Sequence, residues 1–170
     1  MESEPRIIQK GSRGLRLVCK EVLPEKIKGS GIRGLIRKMG NALVSHKDGV
    51  ALAAPQIGRS LRIFILSPKI FQKEKHTEPL VYINPVLIRK SRNKIDCDEG
   101  CLSVRGVYGT IRRFEKVTVK ALDENGCGFT RGGSGLLAEI FQHEIDHLDG
   151  VLFIDSAKNL HLVKEDNVKA

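Results

Sequence analysis

Gln142-His143-Glu144-Ile145-Asp146-His147-Leu148-Asp149-Gly150 is the stretch on which the fold of this 170-residue chain turns. His143 and His147 are four residues apart. An α-helix therefore puts both imidazoles on one face, one turn apart, where they can share a metal ion. Glu144 projects beside that face. Two nitrogen ligands next to a carboxylate that does not bind the metal are what metal-assisted hydrolysis needs: the ion polarises a carbonyl and acidifies a water, and the carboxylate takes the proton. A polar helix face with two unrelated histidines is the plainer alternative. The flanks favour the first reading. Ser134 is a suitable N-cap, and Gly150 stands where a C-terminal glycine belongs. Leu136, Ile140, His143 and His147 fall on one stripe, with Leu137, Phe141 and Leu148 close beside it, so the histidines continue an apolar face. A buried histidine pair with no shared partner would be costly.

The length predicts one domain, residues 1–170, with a substantial core. No apolar run is long enough to span a membrane as a helix. Met1-Glu2-Ser3-Glu4-Pro5 is neither a secretory signal nor an arginine-rich transit peptide, so the expected compartment is the cytoplasm. A formal charge of +9 predicts an anionic neighbour such as RNA, a ribosomal surface or an acidic peptide. Much of the excess lies before Ser60, in Lys10, Arg13, Arg16, Lys20, Lys26, Lys28, Arg33, Arg37 and Lys38. No nucleic-acid-binding motif accompanies it, so sequence-specific recognition is not expected, and a solvated basic surface is the alternative. Cys19, Cys97, Cys101 and Cys127 contain no Cys-x-x-Cys pair, which argues against a redox motif or zinc ribbon. In the cytoplasm they stay reduced.

Residues 1–28 read as basic and irregular, with Leu15-Arg16-Leu17-Val18 as a short apolar patch. From Ser30 to about His46, the spacing of Ile32, Leu35, Ile36, Met39 and Leu43 predicts a supporting helix. Leu61 to Leu66 reads as a strand, and Pro79 to Ile88 as another, interrupted near Asn84-Pro85; the charged span from Ser67 to Glu78 reads as an exposed loop. Phe114 to Leu122 alternates as a half-buried strand. Asp123-Glu124-Asn125-Gly126 signals a hairpin into Cys127-Gly128-Phe129-Thr130. Val151 to Ile154 is a short apolar run that packs on the sheet, and the polar tail from Ser156 is expected to fray.

Two further segments bear on chemistry. Gly49 to Gly58 is small and apolar, which lets a backbone or ligand approach closely, and it carries one neutral amide, Gln56. Gln56 could donate a hydrogen bond without bringing charge; a buried turn whose glutamine caps a backbone group is the alternative. In Asp98-Glu99-Gly100-Cys101-Leu102-Ser103, Gly100 permits a turn that exposes the thiol. Cys101 with His143 and His147 would make a three-ligand site that keeps a fourth position for water, the catalytic arrangement. A buried cysteine serving as a small apolar residue is the alternative.

Taken together, Gly49 to Gln56, Glu99-Gly100-Cys101-Leu102-Ser103 and Gln142 to Gly150 strongly resemble the motifs of the peptide deformylases, in the same order. The likeness runs from about Leu15 to Ile154. It implies an α+β fold, mixed or antiparallel β-sheets around a central metal-binding α-helix. It implies removal of the formyl group from N-formylmethionine at the start of nascent peptides. By resemblance Cys101, His143 and His147 would bind the metal, Fe²⁺ with Zn²⁺, Ni²⁺ or Co²⁺ as possible occupants. Glu144 would be general base and then acid, and Gln56 and the Leu102 N–H would hold the oxygen of the tetrahedral intermediate. Val50, Ala51, Gly100, Leu136 and Ile140 are the expected substrate contacts. The chain departs from the family pattern at Ala51, usually glycine, and at Arg105 and Arg112, usually prolines, which predicts a slightly narrower cleft with added charge near its entrance. A long C-terminal helix for ribosome docking is not expected, although the basic surface could touch the ribosome. Three other readings remain: a closed Cys97/Cys101/His143/His147 zinc site, a metallopeptidase using Glu165, and a deformylase-like binder of formylated peptides with weak turnover.

Overall fold

The computed structural model describes residues 6–71 and 80–163. Glu165 and Met1 to Pro5 lie outside that range, as does most of the charged span between Ser67 and Glu78. Among the described residues the fold has two antiparallel sheets and two α-helices, with short 3-10 turns between them. Helix α1 spans Ser30–Val44 and helix α2 spans Leu136–Leu148. The strands are β1 (Ala51–Ala53), β2 (Ile63–Leu66), β3 (Val81–Lys90), β4 (Lys94–Cys101), β5 (Val104–Phe114), β6 (Lys116–Leu122), β7 (Gly128–Ser134) and β8 (Lys158–Leu162). One sheet runs β1-β2-β3-β6-β7 and the other β4-β5-β8. The expected α+β class with antiparallel sheets is what the structure has.

The larger sheet lies between the helices, and strand alternation assigns its residues to two cores. Ile63 and Ile65 face α1 with Leu52 and Ile83, against Leu35, Met39 and Leu43. Phe64 and Leu66 face α2 with Ala51, Ala53 and Tyr82, against Phe141, Ile145 and Leu148. All four residues of β2 are buried, which explains why this strand reads as a continuous apolar run rather than an alternating one. Phe64 stacks on Tyr82 with ring centroids 4.6 Å apart, and Phe141 leans on both. The smaller sheet covers the other side of α2 through Cys97, Val104 and Ile111, joined by Leu15, Leu152 and Phe153.

The structure departs from the sequence reading at several points. Ser134 does not cap α2; it ends β7, paired with Lys116, and Gly135 holds the N-cap with φ +56°. The chain must reverse sharply to lay the helix behind its own sheet, and that backbone conformation favours glycine. At the other end Gly150, with φ +75°, does close the helix: its N–H donates to His147 O, and the Val151 N–H donates to Asp146 O. That is the paired arrangement that satisfies the last helical carbonyls. Asp98 to Cys101 is no turn but the end of β4; the chain turns at Leu102-Ser103. The tail does not fray at once, since β8 pairs with β5. Strand β3 runs through Asn84-Pro85 with a register shift, where Asn84 adopts φ +51° and its amide bonds both backbone groups of Val22 at 2.8 Å.

Cys19 and Cys97 are buried, and burial pushes both thiols up to about 11. Below that value they stay protonated and unreactive. Cys127 is exposed. A thiol-specific alkylating reagent at pH 8 is expected to label Cys127 well before Cys19 or Cys97, with the buried pair reacting only in alkali or after unfolding. Mass mapping of the labelled peptides checks this.

Candidate metal centre and cleft

A cleft of about 730 Å³ opens over one face of α2. Its lining comes from three directions. His46 to Ala51 and Gln56 form one wall, Gly100 to Leu102 with Arg105 to Tyr108 and Val163 form another, and Leu136, Glu139, Ile140, His143 and Glu144 form the floor. Ligand atoms of Cys101, His143 and His147 lie within 4.8 Å of one another, the one such cluster among the described residues. Cys101 Sγ stands 3.2 Å from His147 Nε2. Cys97 is not part of the cluster; it faces Glu139 and the apolar side of the smaller sheet.

The donor set fits a divalent transition metal. A thiol that can lose its proton and two imidazoles suit zinc or iron, and three protein ligands leave a position for water or substrate. The surroundings fix the imidazoles as such sites require. His143 Nδ1 is 2.8 Å from Glu99 Oε2, which leaves its Nε2 for the cluster. Burial disfavours a charged imidazole at both histidines. At His143, hydrogen bonds to Cys101 and Glu99 outweigh burial, and its pKa lies well above the ordinary value. At His147, burial acts together with repulsion from His143, Arg113 and Arg16, and its pKa lies well below.

Glu99 opens the cysteine motif but is given no role by the sequence, nor is Arg113, yet the two hold this arrangement. Glu99 is buried, and Arg113 grips it through Nε at 2.6 Å and Nη2 at 3.0 Å, while Nη1 reaches Asp146 at 2.6 Å. Burial opposes ionisation of Glu99, but hydrogen bonds from His143 and Arg113 overcome it and hold the carboxyl below its usual range. Gln142, within the helix motif, anchors α2 to β5: it accepts from the Phe114 N–H at 2.9 Å and donates to Phe114 O at 3.0 Å. The charge pair Glu99–Arg113 spans two strands fourteen residues apart, and no helix or strand period marks it.

Glu144 is buried beside the metal-ligand cluster, and its Oε2 has no hydrogen-bond partner among the described residues. Burial raises the carboxyl to about 7; His143 opposes this, and Glu99 and Asp146 add to it. A carboxyl poised near neutrality suits a group that must both take and return a proton. Gln56 caps a backbone group, the plainer of the two readings, and its amide nitrogen faces the cluster. Its Oε1 accepts the Ala53 N–H at 2.8 Å, which turns its Nε2 toward Ser103 Oγ at 3.1 Å and Cys101 Sγ at 3.6 Å. Leu102, Val50, Ala51, Gly100, Leu136 and Ile140 all line the same cleft. Arg105 lines it too, but Arg112 does not; it is exposed on β5 opposite Asp96, so its charge is not at the entrance. Tyr108, Glu139 and Val163 are lining residues the sequence did not suggest. Tyr108 packs so closely on Gly100 that a Cβ there would meet its ring at 2.6 Å.

Comparison with known proteins matches this geometry to one family. The sequence fits the family profile described as polypeptide deformylase over residues 5–162. A peptide deformylase of Pelodictyon phaeoclathratiforme is 43% identical over 141 residues, covering 83% of this chain and 72% of that protein. The crystal structure of a Synechococcus elongatus peptide deformylase in complex with actinonin superposes with a TM-score of 0.79 at 38% identity, over 94% of this chain and 82% of that one. An Acinetobacter baumannii peptide deformylase with Met-Ala-Ser bound superposes with a TM-score of 0.81 at 29% identity, over 92% and 99%. The expected likeness to deformylases therefore holds across nearly the whole chain, and the protein belongs to the peptide deformylase family of metal-dependent hydrolases.

Proposed function

We propose that this chain removes the formyl group from the N-terminal formylmethionine of newly made polypeptides in the cytoplasm, releasing formate. The observation that carries this reading is the convergence of one thiol and two imidazoles within 4.8 Å, beside a buried carboxylate, at the floor of an open cleft. Cys101, His143 and His147 would hold the metal, Fe²⁺ by resemblance to the family, with Zn²⁺, Ni²⁺ or Co²⁺ able to substitute. When bound, the ion would supply Lewis acidity to the formyl carbonyl and lower the pKa of water.

The other steps belong to side chains. Glu144 takes the proton of the attacking water and returns it to the departing amine. Negative charge gathers on the formyl oxygen, where the Gln56 amide and the Leu102 N–H stabilise it; losing one such donor typically costs ~10²–10³ in rate. Leu136 and Ile140 receive the apolar methionine side chain, and Val50, Ala51 and Gly100 border the peptide backbone. The basic surface could bring the enzyme to the ribosome, where its substrates emerge.

Anaerobic purification followed by metal analysis and a formate-release assay on formyl-Met-Ala-Ser tests the proposal. Turnover that a chelator abolishes and added Fe²⁺ restores is expected, and an iron-loaded sample should lose activity in air. Tight binding of the formylated peptide without formate would leave the chain a binder and overturn the proposed activity.

A further inference from the structure

Positive charge also gathers outside the basic segment before Ser60, where four strands begin or end side by side. β3 ends at Lys90, β4 starts at Lys94, β5 ends at Phe114 and β6 starts at Lys116. Arg89, Lys90, Arg92, Lys94, Arg112 and Lys116 are all exposed there, against the two carboxylates Asp96 and Glu115. Lys90 Nζ and Lys94 Nζ both sit over the Phe114 ring, at 5.3 and 4.5 Å from its centroid. That contact holds two like charges together on an apolar anchor.

The two turns are also bonded to each other. Ser91 N–H donates to Lys116 O at 2.8 Å, Ser91 Oγ accepts the Lys116 N–H at 3.1 Å, and the Glu115 N–H donates to Asn93 O at 3.1 Å. Ser91 Oγ in turn donates to Asn93 O at 2.7 Å. The cations therefore stand on a preorganised platform, which reduces the ordering cost of binding a polyanion. Through the Lys116–Ser134 pair the platform continues into β7, the strand that leads into α2.

We propose that this four-strand edge binds the phosphate backbone of structured RNA, without reading sequence. The inference rests on the deformylase reading for its purpose, since nascent chains emerge from an RNA-rich particle. Its chemistry stands apart from that reading: Lys and Arg side chains from different strands, with Ser and Asn between them, suit an extended row of phosphates. Few aromatic faces are exposed there for stacking on bases, which is why the backbone is the recognised feature.

The test uses the full chain and a fluorescent double-stranded RNA hairpin, titrated at several salt concentrations. The variant K90Q/R92Q/K94Q/K116Q is expected to weaken binding about tenfold or more and to lower the log–log salt slope by roughly one unit per lost phosphate contact. K90R/K94R keeps the charge and is expected to bind as the parent does, and R33Q/R37Q, on the exposed face of α1, is expected to change little. Equal losses in R33Q/R37Q and the edge variant would overturn the proposal, as would unaltered RNA binding by the edge variant. Binding to phosphatidylglycerol vesicles or polyglutamate in preference to the RNA would also overturn it. Formate release from formyl-Met-Ala-Ser by the edge variant should match the parent; its absence in both proteins would count against the activity while leaving the RNA result to stand alone.

Discussion

Replacing Glu144 by alanine is expected to lower formate release from formyl-Met-Ala-Ser by about 10²–10⁴-fold, the usual worth of a positioned general acid–base. Metal content, measured on the same sample, should stay as in the parent. The separation follows from position. Glu144 comes from the same helix as both histidines, yet it is not one of the three residues whose ligand atoms converge. Its buried Oε2 has no partner among the described residues, so it is not holding the fold through a hydrogen bond there. Removing a buried carboxyl that burial raises to about 7 should not unfold the chain. Turnover that persists in full would refute the assignment, and simultaneous loss of metal would mean that Glu144 acts through the ligands instead.

The second large effect concerns stability. Arg113→Ala would leave Glu99 buried without its guanidinium partner and would also strip Asp146 of its ion pair. Breaking a buried pair from one side typically costs about 3–5 kcal/mol, which for a chain of this size lowers the melting temperature by roughly 10 °C. Arg113→Lys should recover little of it, because an ammonium cannot match the two-point contact with Glu99. The pH dependence has a definite sign. The folded-state pKa of Glu99 lies below the ordinary carboxylate value, so its contribution is complete above that value and is lost as pH falls toward the folded pKa. The parent should lose stability in acid faster than R113A, and the gap between their melting curves should narrow. Since Glu99 also orients His143, weaker metal retention is expected in the same variant.

Much of the fold is legible in the amino-acid sequence. A histidine spacing of four and the closing Gly150 mark a helix with two ligands on one face, because helical geometry is local and repeats every 3.6 residues. Helix α1 and strands β2, β3 and β6 follow from the same short-range periodicities. Strand pairing carries no such mark. Half of β4 is exposed and all of β8, so neither announces itself as a buried apolar strand. Their existence depends on register against β5, which is decided by hydrogen bonds between distant segments. For the same reason the turn expected at Gly100 is strand instead, and Ser134 yields the helix cap to a glycine that can reverse the chain.

The sequence by itself determined which side chains α2 presents together, since residue type and helical spacing are enough to set two imidazoles beside a carboxylate. Only the tertiary structure decided that Cys101 meets them, that Glu99 and Arg113 lock His143 in place, and that a row of cations crowds one sheet edge. Each of those is a contact between segments whose separation along the chain says nothing about their distance in space; packing of the two sheets around α2 sets it.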